Sequence, residues 1–305
     1  FSTVWIGEHH AMEFSVSANA FVSLAYLAGR TSTIRLGTGT VISPFYHPIR
    51  LAGEIGQLDV MSNGRAEIGI ARGAYLYEYE RIFPGLDAMG AGLRMREMVP
   101  AVQQLLRGNY AHEGEFWQFP STTAIPRPIQ QPYPPMWIAA RDPNTHAFAV
   151  ASGCNIQVTP LALGDDEVAN LMGKVDTACA EHPDMPRPEV MLLMHAFVSE
   201  SEDELAQAAR EIEEFYHYFA KLFRNNTPVI DGFIERVTDE DRALNPQYAA
   251  EIMRRNLTAL TRPRARCGPV CQRRAPMMLI VQSGRRIKPC GRGLGRRPMP
   301  LSAAS

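Results

Sequence analysis

The sequence is poor in cysteine and has no long apolar segment. Its 305 residues include five cysteines, and no CxxC pair or Cys/His spacing suits zinc, so neither a disulfide framework nor a metal site is expected. No run of about 18 uncharged apolar residues occurs, which predicts a chain without a membrane span. Because no basic, apolar leader opens the sequence, a signal peptide is not expected either, and we predict a cytoplasmic protein.

Acidic residues are missing from one end of the chain. The segment from Thr261 to Ser305 contains ten arginines, one lysine and no aspartate or glutamate, whereas the rest of the chain carries 20 basic and 32 acidic residues. This change in composition divides the chain into a globular domain over residues 1–260 and a basic tail over residues 261–305. The tail is expected to be disordered or translated out of frame. A basic arm that binds nucleic acid is the alternative, and a nucleic-acid partner is not expected.

Apolar runs alternate with helical patterns along the domain. Six runs read as strands buried on both faces, as in a parallel sheet, over residues 4–6, 32–42, 65–73, 135–140, 154–160 and 189–199. Helices are predicted at residues 18–29, 48–61, 94–107, 144–152, 165–180 and 202–223. The proline-rich passage from Pro120 to Pro135 is predicted to be a surface connection without regular structure. This α/β order fits a (β/α)8 barrel with pieces missing or a doubly wound open sheet, and the GxGxxG fingerprint of the second is absent.

Polar residues follow several of the predicted strands. In a barrel these positions converge on one mouth, which would collect His9, the turn at Gly39, Arg72 and the pair Arg141-Asp142. A histidine titrates near neutral pH and suits proton transfer. The two arginines, with a helix N-terminus nearby, would form a seat for a phosphate dianion. The mouth therefore predicts a phosphorylated cofactor.

Each of these residues also has a structural interpretation. Adjacent residues on an extended segment point to opposite sides, so His9 and His10 cannot both face the mouth. The alternative for Arg72 and Arg141 is an ordinary ion pair, and the alternative for Tyr75 is loop packing. A metal site around the histidine doublet is not expected, because the spacing places no two ligands on one helical face.

A family resemblance is carried by two stretches, VWIGEHHAMEF at residues 4–14 and RLGTGTVISPFYHPIRLAGEIGQLDVMSNGRAEIGIARGAY at residues 35–75. They contain, in order, an EHH doublet, an HP-x-R helix start, an LD-x-MS-x-GR helix end and an RG-x-Y turn. With these motifs, residues 1–255 resemble the bacterial luciferase-like flavin monooxygenases.

The resemblance implies a fold, a reaction and partners. The fold would be a (β/α)8 TIM barrel. The enzyme would use reduced FMN, supplied by a separate flavin reductase, and O2 through a flavin C4a-peroxide to oxidise a small organic, apolar substrate. Alternatives are an F420-dependent hydride-transfer oxidoreductase of the same superfamily or an inactive truncated fragment. The resemblance also favours a homodimer.

Carried over by position, the resemblance implies roles for individual residues. His9 matches the catalytic histidine beside the flavin, and Gly39 and Thr40 fall at a non-proline cis peptide bond under its ring system. Arg72 matches an arginine that holds the flavin phosphate. Ala140, Arg141 and Asp142 match the loop that holds the same phosphate. Tyr75 is expected on the substrate side of the mouth.

The resemblance also bears on the two ends of the chain and on the substrate. The family has a strand and a helix before the equivalent of Phe1, and an eighth strand where the basic tail stands. We therefore expect a barrel that lacks its first strand and helix and its native last strand, with an open seam of unpaired edges. The loop from Ala74 to Leu93 and the region from Phe215 to Arg255 are aromatic-rich and are predicted to line the substrate side.

Overall fold

Seven parallel strands form one curled sheet in the computed structural model, which describes residues 2–14, 17–160, 164–195, 201–224, 227–254 and 277–279. In chain order the strands are β1 (Thr3–Ile6), β2 (Arg35–Ile42), β3 (Ala66–Ala71), β4 (Tyr110–Glu113), β5 (Gln118–Thr122), β6 (Met136–Ala139), β7 (Asn155–Val158), β8 (Val190–Met194), β9 (Val229–Ile230), β10 (Phe233–Ile234) and β11 (Met277–Leu279). The helices are α1 (Ala20–Ala28), α2 (Pro48–Met61), α3 (Leu76–Ile82), α4 (Ala88–Arg107), α5 (Pro143–Ala151), α6 (Gly164–Glu181), α7 (Glu202–Phe223) and α8 (Asp239–Ala243). None of these helices is both long and apolar enough to cross a membrane.

The strand order identifies the sheet as a barrel type. The order is β1-β2-β3-β6-β7-β8-β11, with parallel pairing between neighbours and with helices between successive strands. A doubly wound sheet reverses its strand order at a switch point, and this sheet does not. The predicted (β/α) barrel class is confirmed, with seven of its strands among the described residues.

The last strand of this sheet falls in the segment predicted to be a tail. β11 pairs with β8 in parallel register, with Met277 opposite Leu192, and it lies beside β1. The two edges of the sheet therefore approach each other where the sequence predicts an open seam. Residues 255–276 and 280–305 lie outside the described part of the chain, as does most of the expected tail.

Two layers of packing fill the fold. The larger core lies between the sheet and the surrounding helices, where Leu36 of β2, Leu51 of α2 and Ile138 of β6 are fully buried. Inside the barrel, Trp5 of β1 and Trp137 of β6 pack edge to face with ring centroids 5.4 Å apart. Edge-to-face pairing suits the charge distribution of aromatic rings. The interior is therefore a packed core below the mouth.

The proline-rich connection contains regular structure that the sequence analysis did not predict. β4 and β5 form an antiparallel hairpin, and β5 includes Pro120. Pro120 falls between the paired residues Phe119 and Thr122, where the register of the hairpin shifts, so its missing N–H breaks no ladder bond. The short helix α3 was also not predicted, and α4 begins at Ala88 instead of Arg94. The prediction of an irregular surface passage is therefore wrong at its start.

A buried ion-pair cluster fixes the segment after α7. Lys221 of α7 is 5% exposed. Its ammonium donates to Asp241 Oδ2 at 3.0 Å, to Glu235 Oε2 at 3.3 Å and to the carbonyl of Arg236 at 2.9 Å. Thr238 donates to the same Asp241 oxygen from its backbone N–H at 2.9 Å and from its hydroxyl at 3.0 Å. The cluster therefore ties the segment that carries β9, β10 and α8 to α7.

The Asp241→Asn variant should lose the pH dependence of stability that this ion-pair cluster contributes. Burial alone would raise the pKa of Asp241, but hydrogen bonds from Thr238 and Lys221 outweigh it and lower the pKa to about 2. An unfolded aspartate has a pKa of about 3.9, so the ionised carboxylate stabilises the fold above that pH and the contribution is lost as the pH falls towards 2. We expect urea unfolding to show a gap in stability between wild type and Asp241→Asn at pH 6 that narrows between pH 4 and 2. A gap that stays constant over that range would contradict this assignment.

Candidate active site

The carboxyl ends of the parallel strands form one rim, and the predicted site residues follow several of them. His9 comes after β1, the Gly39–Thr40 peptide lies within β2, and Arg72 comes directly after β3. Ala140 and the following two residues come after β6. The structure therefore places the predicted residues around one mouth, although their side chains do not all turn towards it.

A buried carboxylate from α3 holds His9. Glu78 is 1% exposed, and its Oε2 lies 3.3 Å from His9 Nδ1 while its Oε1 accepts the backbone N–H of His10 at 2.7 Å. The His9 ring packs edge-on to Phe14 with centroids 5.0 Å apart and lies 5.4 Å from the ring of Tyr75. A carboxylate at Nδ1 favours the tautomer with its proton there, which leaves Nε2 as the reactive nitrogen. Among the described residues, Nε2 has no hydrogen-bond partner.

The second histidine of the doublet has a structural environment. Glu8 is 2% exposed and accepts from the hydroxyl of Tyr46 at 2.8 Å and from the backbone N–H of Ile42 at 2.9 Å. His10 Nε2 lies 3.5 Å from the same carboxylate. The hydrogen bond with Glu8 raises the pKa of His10, although burial opposes the shift. His9 and His10 therefore have separate partners, as their adjacent positions on an extended segment predict.

The peptide bond between Gly39 and Thr40 is cis, which confirms the predicted geometry. The pairing of β2 with β3 shifts register between Thr38 and Val41, so residues 39 and 40 leave the ladder. A Cβ added to Gly7, two residues before His9, would lie 3.1 Å from the carbonyl oxygen of Gly39. The cis peptide and the His9 segment are therefore neighbours on the rim.

A small polar group lies inside the barrel, next to this peptide. The Thr38 hydroxyl donates to the carbonyl of Gly69 at 2.8 Å and accepts the N–H of Gly69 at 2.7 Å. A Cβ at Gly69 would come within 2.1 Å of the Thr38 carbonyl and 2.8 Å of the Gln157 amide nitrogen, so only glycine fits there. Gln157 Nε2 is buried and has no hydrogen-bond partner among the described residues. An unsatisfied buried donor is costly, which suggests a ligand acceptor at this position.

The two predicted phosphate arginines differ in their surroundings. Within the described part of the chain, the Arg72 side chain makes one hydrogen bond, from Nη1 to the carbonyl of Ala88 at 3.1 Å, and its charge helps to lower the pKa of Asp142. Arg141 instead turns to α6, where Nη2 pairs with Glu167 at 2.8 Å and Nη1 donates to the Thr159 carbonyl at 2.6 Å. The ion-pair alternative therefore describes Arg141 in this structure, and its role as a phosphate ligand stays a prediction.

Ala140 and Asp142 shape the same corner through the backbone. Ala140 is buried, and its N–H donates to the Gln157 carbonyl at 3.0 Å. Asp142 caps α5, with Oδ1 accepting the Thr145 N–H at 3.0 Å and Oδ2 accepting the Thr145 hydroxyl at 2.7 Å. Burial alone would raise the pKa of Asp142, but these hydrogen bonds outweigh it and lower the pKa. The Asp142 carboxylate is therefore occupied as a helix cap, and a phosphate here would depend on Arg72 and backbone N–H groups.

An aromatic wall faces His9 from α7. Phe215 and Phe219 lie 5.8 and 5.7 Å from the ring of Phe14, and Phe223 lies 5.3 Å from the ring of Tyr75. These α7 residues are spaced by four and therefore share one helix face. Tyr75 is 2% exposed and forms part of the wall behind His9. The loop from Ala74 to Leu93 and the region from Phe215 to Arg255, both predicted to line the substrate side, contact each other through these rings.

Sequence reasoning missed Glu78 and Phe14. Glu78 lies in the YLYEYE segment after the RG-x-Y turn, and its burial depends on α3 folding back over the EHH loop. An acidic residue in an otherwise aromatic segment was the available signal. Among the described residues, no three His, Cys, Asp or Glu side chains come together as a metal site.

The fold and this site define a (β/α)-barrel protein with a histidine–carboxylate pair on the rim at the carboxyl ends of its strands. The family model for luciferase-like monooxygenases matches residues 1–271. The chain belongs to that family, an oxidoreductase family.

Named relatives and a solved structure agree with this assignment. The oxygenase component of the flavin-dependent trigonelline monooxygenase of Acinetobacter baylyi is 55% identical over 253 residues, which cover 83% of this chain and 70% of the relative. The alkanal monooxygenase alpha chain of Photorhabdus luminescens is 30% identical over 172 residues, 56% of this chain and 47% of the relative. The structure of monooxygenase RslO1 from Streptomyces bottropensis superposes with a TM-score of 0.66 at 24% identity, over 85% of this chain and 86% of that one. This last likeness concerns the fold.

Proposed function

We propose that this protein is the oxygenase component of a two-component flavin monooxygenase, which uses FMN reduced by a separate reductase and oxidises a small aromatic substrate with O2. The observation that carries the proposal is the His9–Glu78 pair on the rim at the carboxyl ends of the strands. The relative from Acinetobacter baylyi, which is named as a flavin-dependent oxygenase component, supports it. A cytoplasmic location and a homodimer belong to the same proposal.

The residues of the mouth fit FMN. Arg72 has guanidinium donors beyond the Ala88 carbonyl that it contacts, and its charge acts on Asp142 at the N-terminus of α5, so it can offer a charge-assisted contact to a phosphate. The unpaired Gln157 amide supplies a donor for a polar edge of the ring system. The Gly39–Thr40 peptide offers backbone without a bulky side chain at Gly39. The Gln157 amide lies beside Gly69 of β3, the strand that Arg72 follows, so both donors belong to the same part of the barrel.

The chain's own residues prepare proton transfer and exclude water. Bound reduced FMN supplies the electrons that activate O2. Glu78 orients the His9 ring, whose Nε2 takes or gives a proton where the substrate and O2 meet. Phe14 packs on the His9 ring and Phe215 of α7 packs on Phe14, so these rings limit the access of water to His9. An apolar surround of this kind strengthens electrostatic interactions at the reacting atoms.

The substrate proposal follows from the aromatic wall and from the relative. A flat ring packs favourably against the half-buried wall residues Phe14 and Phe215. The first molecule to test is trigonelline, an N-methylated pyridine carboxylate, because the relative from Acinetobacter baylyi is named for it. Product formation would be measured with FMN, O2 and a flavin reductase. Reduction of F420 without a requirement for O2 would favour the hydride-transfer alternative.

The two rim arginines should differ in their effect on FMN affinity. Arg72→Ala is expected to weaken FMN binding by about tenfold or more, because a charge-assisted contact with the phosphate is lost. Arg141→Ala should change it by less than about threefold, because the Arg141 guanidinium pairs with Glu167 at the surface. FMN fluorescence quenching on the purified proteins measures both.

The arginine pair also tests the proposal as a whole. Equal losses in both variants would mean that Arg141 leaves Glu167 to hold the phosphate. An absence of FMN binding in soluble wild-type protein would overturn the flavin proposal and favour the interpretation as an inactive fragment.

A further inference from the structure

A second histidine lies at the rim, and neither the family motifs nor the proposed proton transfer involves it. His195 follows β8 directly, and His9 lies in the loop after β1. Its ring contacts two aromatic residues of α7, with centroids 4.9 Å from Phe215 and 5.3 Å from Tyr216. It therefore lies at the carboxyl end of the sheet, against the helix whose Phe215 contacts Phe14 beside His9.

His195 and His9 stand at the two ends of one row of rings. Phe14 lies 5.0 Å from the His9 ring, Phe215 lies 5.8 Å from Phe14 in a stacked arrangement, and His195 lies 4.9 Å from Phe215. Each step is a direct ring contact. The two histidines therefore flank the same aromatic pair, and a flat molecule that packs on Phe14 and Phe215 would lie next to the His195 ring.

The surroundings of His195 keep its imidazole neutral. Burial lowers its pKa to about 4, and no charged or hydrogen-bonding group among the described residues contributes to the shift. A neutral imidazole carries one N–H donor and one acceptor nitrogen. Polar atoms placed in an apolar surround without a partner are costly, and a ligand group that pairs with them gains from it.

We propose that His195 is a specificity-determining residue, which donates a hydrogen bond to an acceptor group, such as a carboxylate, on a flat aromatic substrate that packs against Phe14 and Phe215. The inference rests on the proposed function, because it uses the same mouth and the same substrate. It narrows the substrate class to aromatic carboxylates and their close analogues. A site that is built to hydrogen-bond one substituent discriminates strongly against molecules that lack it.

The test compares two probes that differ in the carboxylate. Trigonelline carries it and N-methylpyridinium does not, while both keep the flat N-methylated ring. Binding of each probe to the full chain would be measured by calorimetry, for wild type, His195→Phe and His195→Gln. We expect His195→Phe to weaken trigonelline binding by about tenfold or more and to change N-methylpyridinium binding by less than about twofold. His195→Gln, which keeps an N–H donor, should recover part of the trigonelline affinity.

Controls separate this inference from folding and from the proposed function. His182→Phe changes a histidine that follows α6, away from the rim, and should leave both affinities unchanged. FMN titration of each variant reports whether the mouth is intact. If His195→Phe weakens the binding of both probes equally, His195 has a packing role and the inference is overturned. An unchanged affinity for trigonelline in a variant that still binds FMN would also overturn it. A wild-type protein that binds neither FMN nor trigonelline would overturn the proposed function and this inference together.

Discussion

Replacing His9 with alanine is expected to lower the rate of substrate oxidation by about 10²- to 10⁴-fold, the usual range for loss of a positioned acid–base group. FMN affinity should change little, because the proposed phosphate contact is at Arg72. The reason is geometric: Glu78 fixes Nδ1 at 3.3 Å, so Nε2 is the nitrogen that is free for proton transfer. Single-turnover oxidation with pre-reduced FMN measures the loss directly, without a contribution from the reductase.

The neighbouring residues supply the controls for this prediction. His10→Ala removes the adjacent histidine of the doublet, whose ring faces Glu8, and should retain most of the rate. Glu78→Gln keeps the size of the side chain but removes its charge. Because Glu78 orients the His9 ring through Nδ1, this variant should also reduce the rate. Comparable rates in His9→Ala and wild type would remove His9 from the mechanism.

Replacing Arg65 with methionine is expected to cost about 3–5 kcal/mol of unfolding free energy, a loss typical of breaking a buried polar network. Arg65 is 9% exposed, and its guanidinium donates five hydrogen bonds to described residues. Its Nε donates to the Ser62 carbonyl at 2.6 Å, and its Nη groups donate to Thr31, Ile34 and Ala28 at 2.7–3.1 Å. These contacts join the ends of α1 and α2 to the start of β2. The variant would leave several buried oxygens without donors.

Arg50→Met is the matched control for this loss of stability. Arg50 belongs to the HP-x-R motif, but its side chain is 65% exposed and pairs with Glu54 one turn along α2. Exposed pairs of this kind contribute about 0.3–0.5 kcal/mol. Urea unfolding of both variants would show whether the arginine of the LD-x-MS-x-GR motif stabilises the fold. Equal and small losses would show that the Arg65 network contributes little.

The sequence predicted those helices and strands whose ends carry a proline, a glycine turn or a clear change from apolar to polar residues. The helix α2 begins at Pro48 and ends at Met61 as predicted, because a proline suits the first helical turn and Asn63-Gly64 turns the chain with φ angles of 55° and 74°. The continuous apolar runs at β3 and β6 likewise fixed buried strands. Elements without such signals were missed, among them α3 and the β4–β5 hairpin, whose residues are stabilised mainly by what they pack against.

The sequence by itself determined the alternation of strands and helices and the place of His9 after a strand, because these depend on chain-local periodicity and backbone sterics. The predicted turn at Gly39 instead lies within β2. Only the tertiary structure decided which polar groups meet. Glu78 is 69 positions from His9, and α3 must fold over the EHH loop before the two can pair. Arg141 has the sequence position of a phosphate ligand, but in the structure its guanidinium forms an ion pair with Glu167 of α6. Contacts between distant segments follow from packing, which local sequence does not specify.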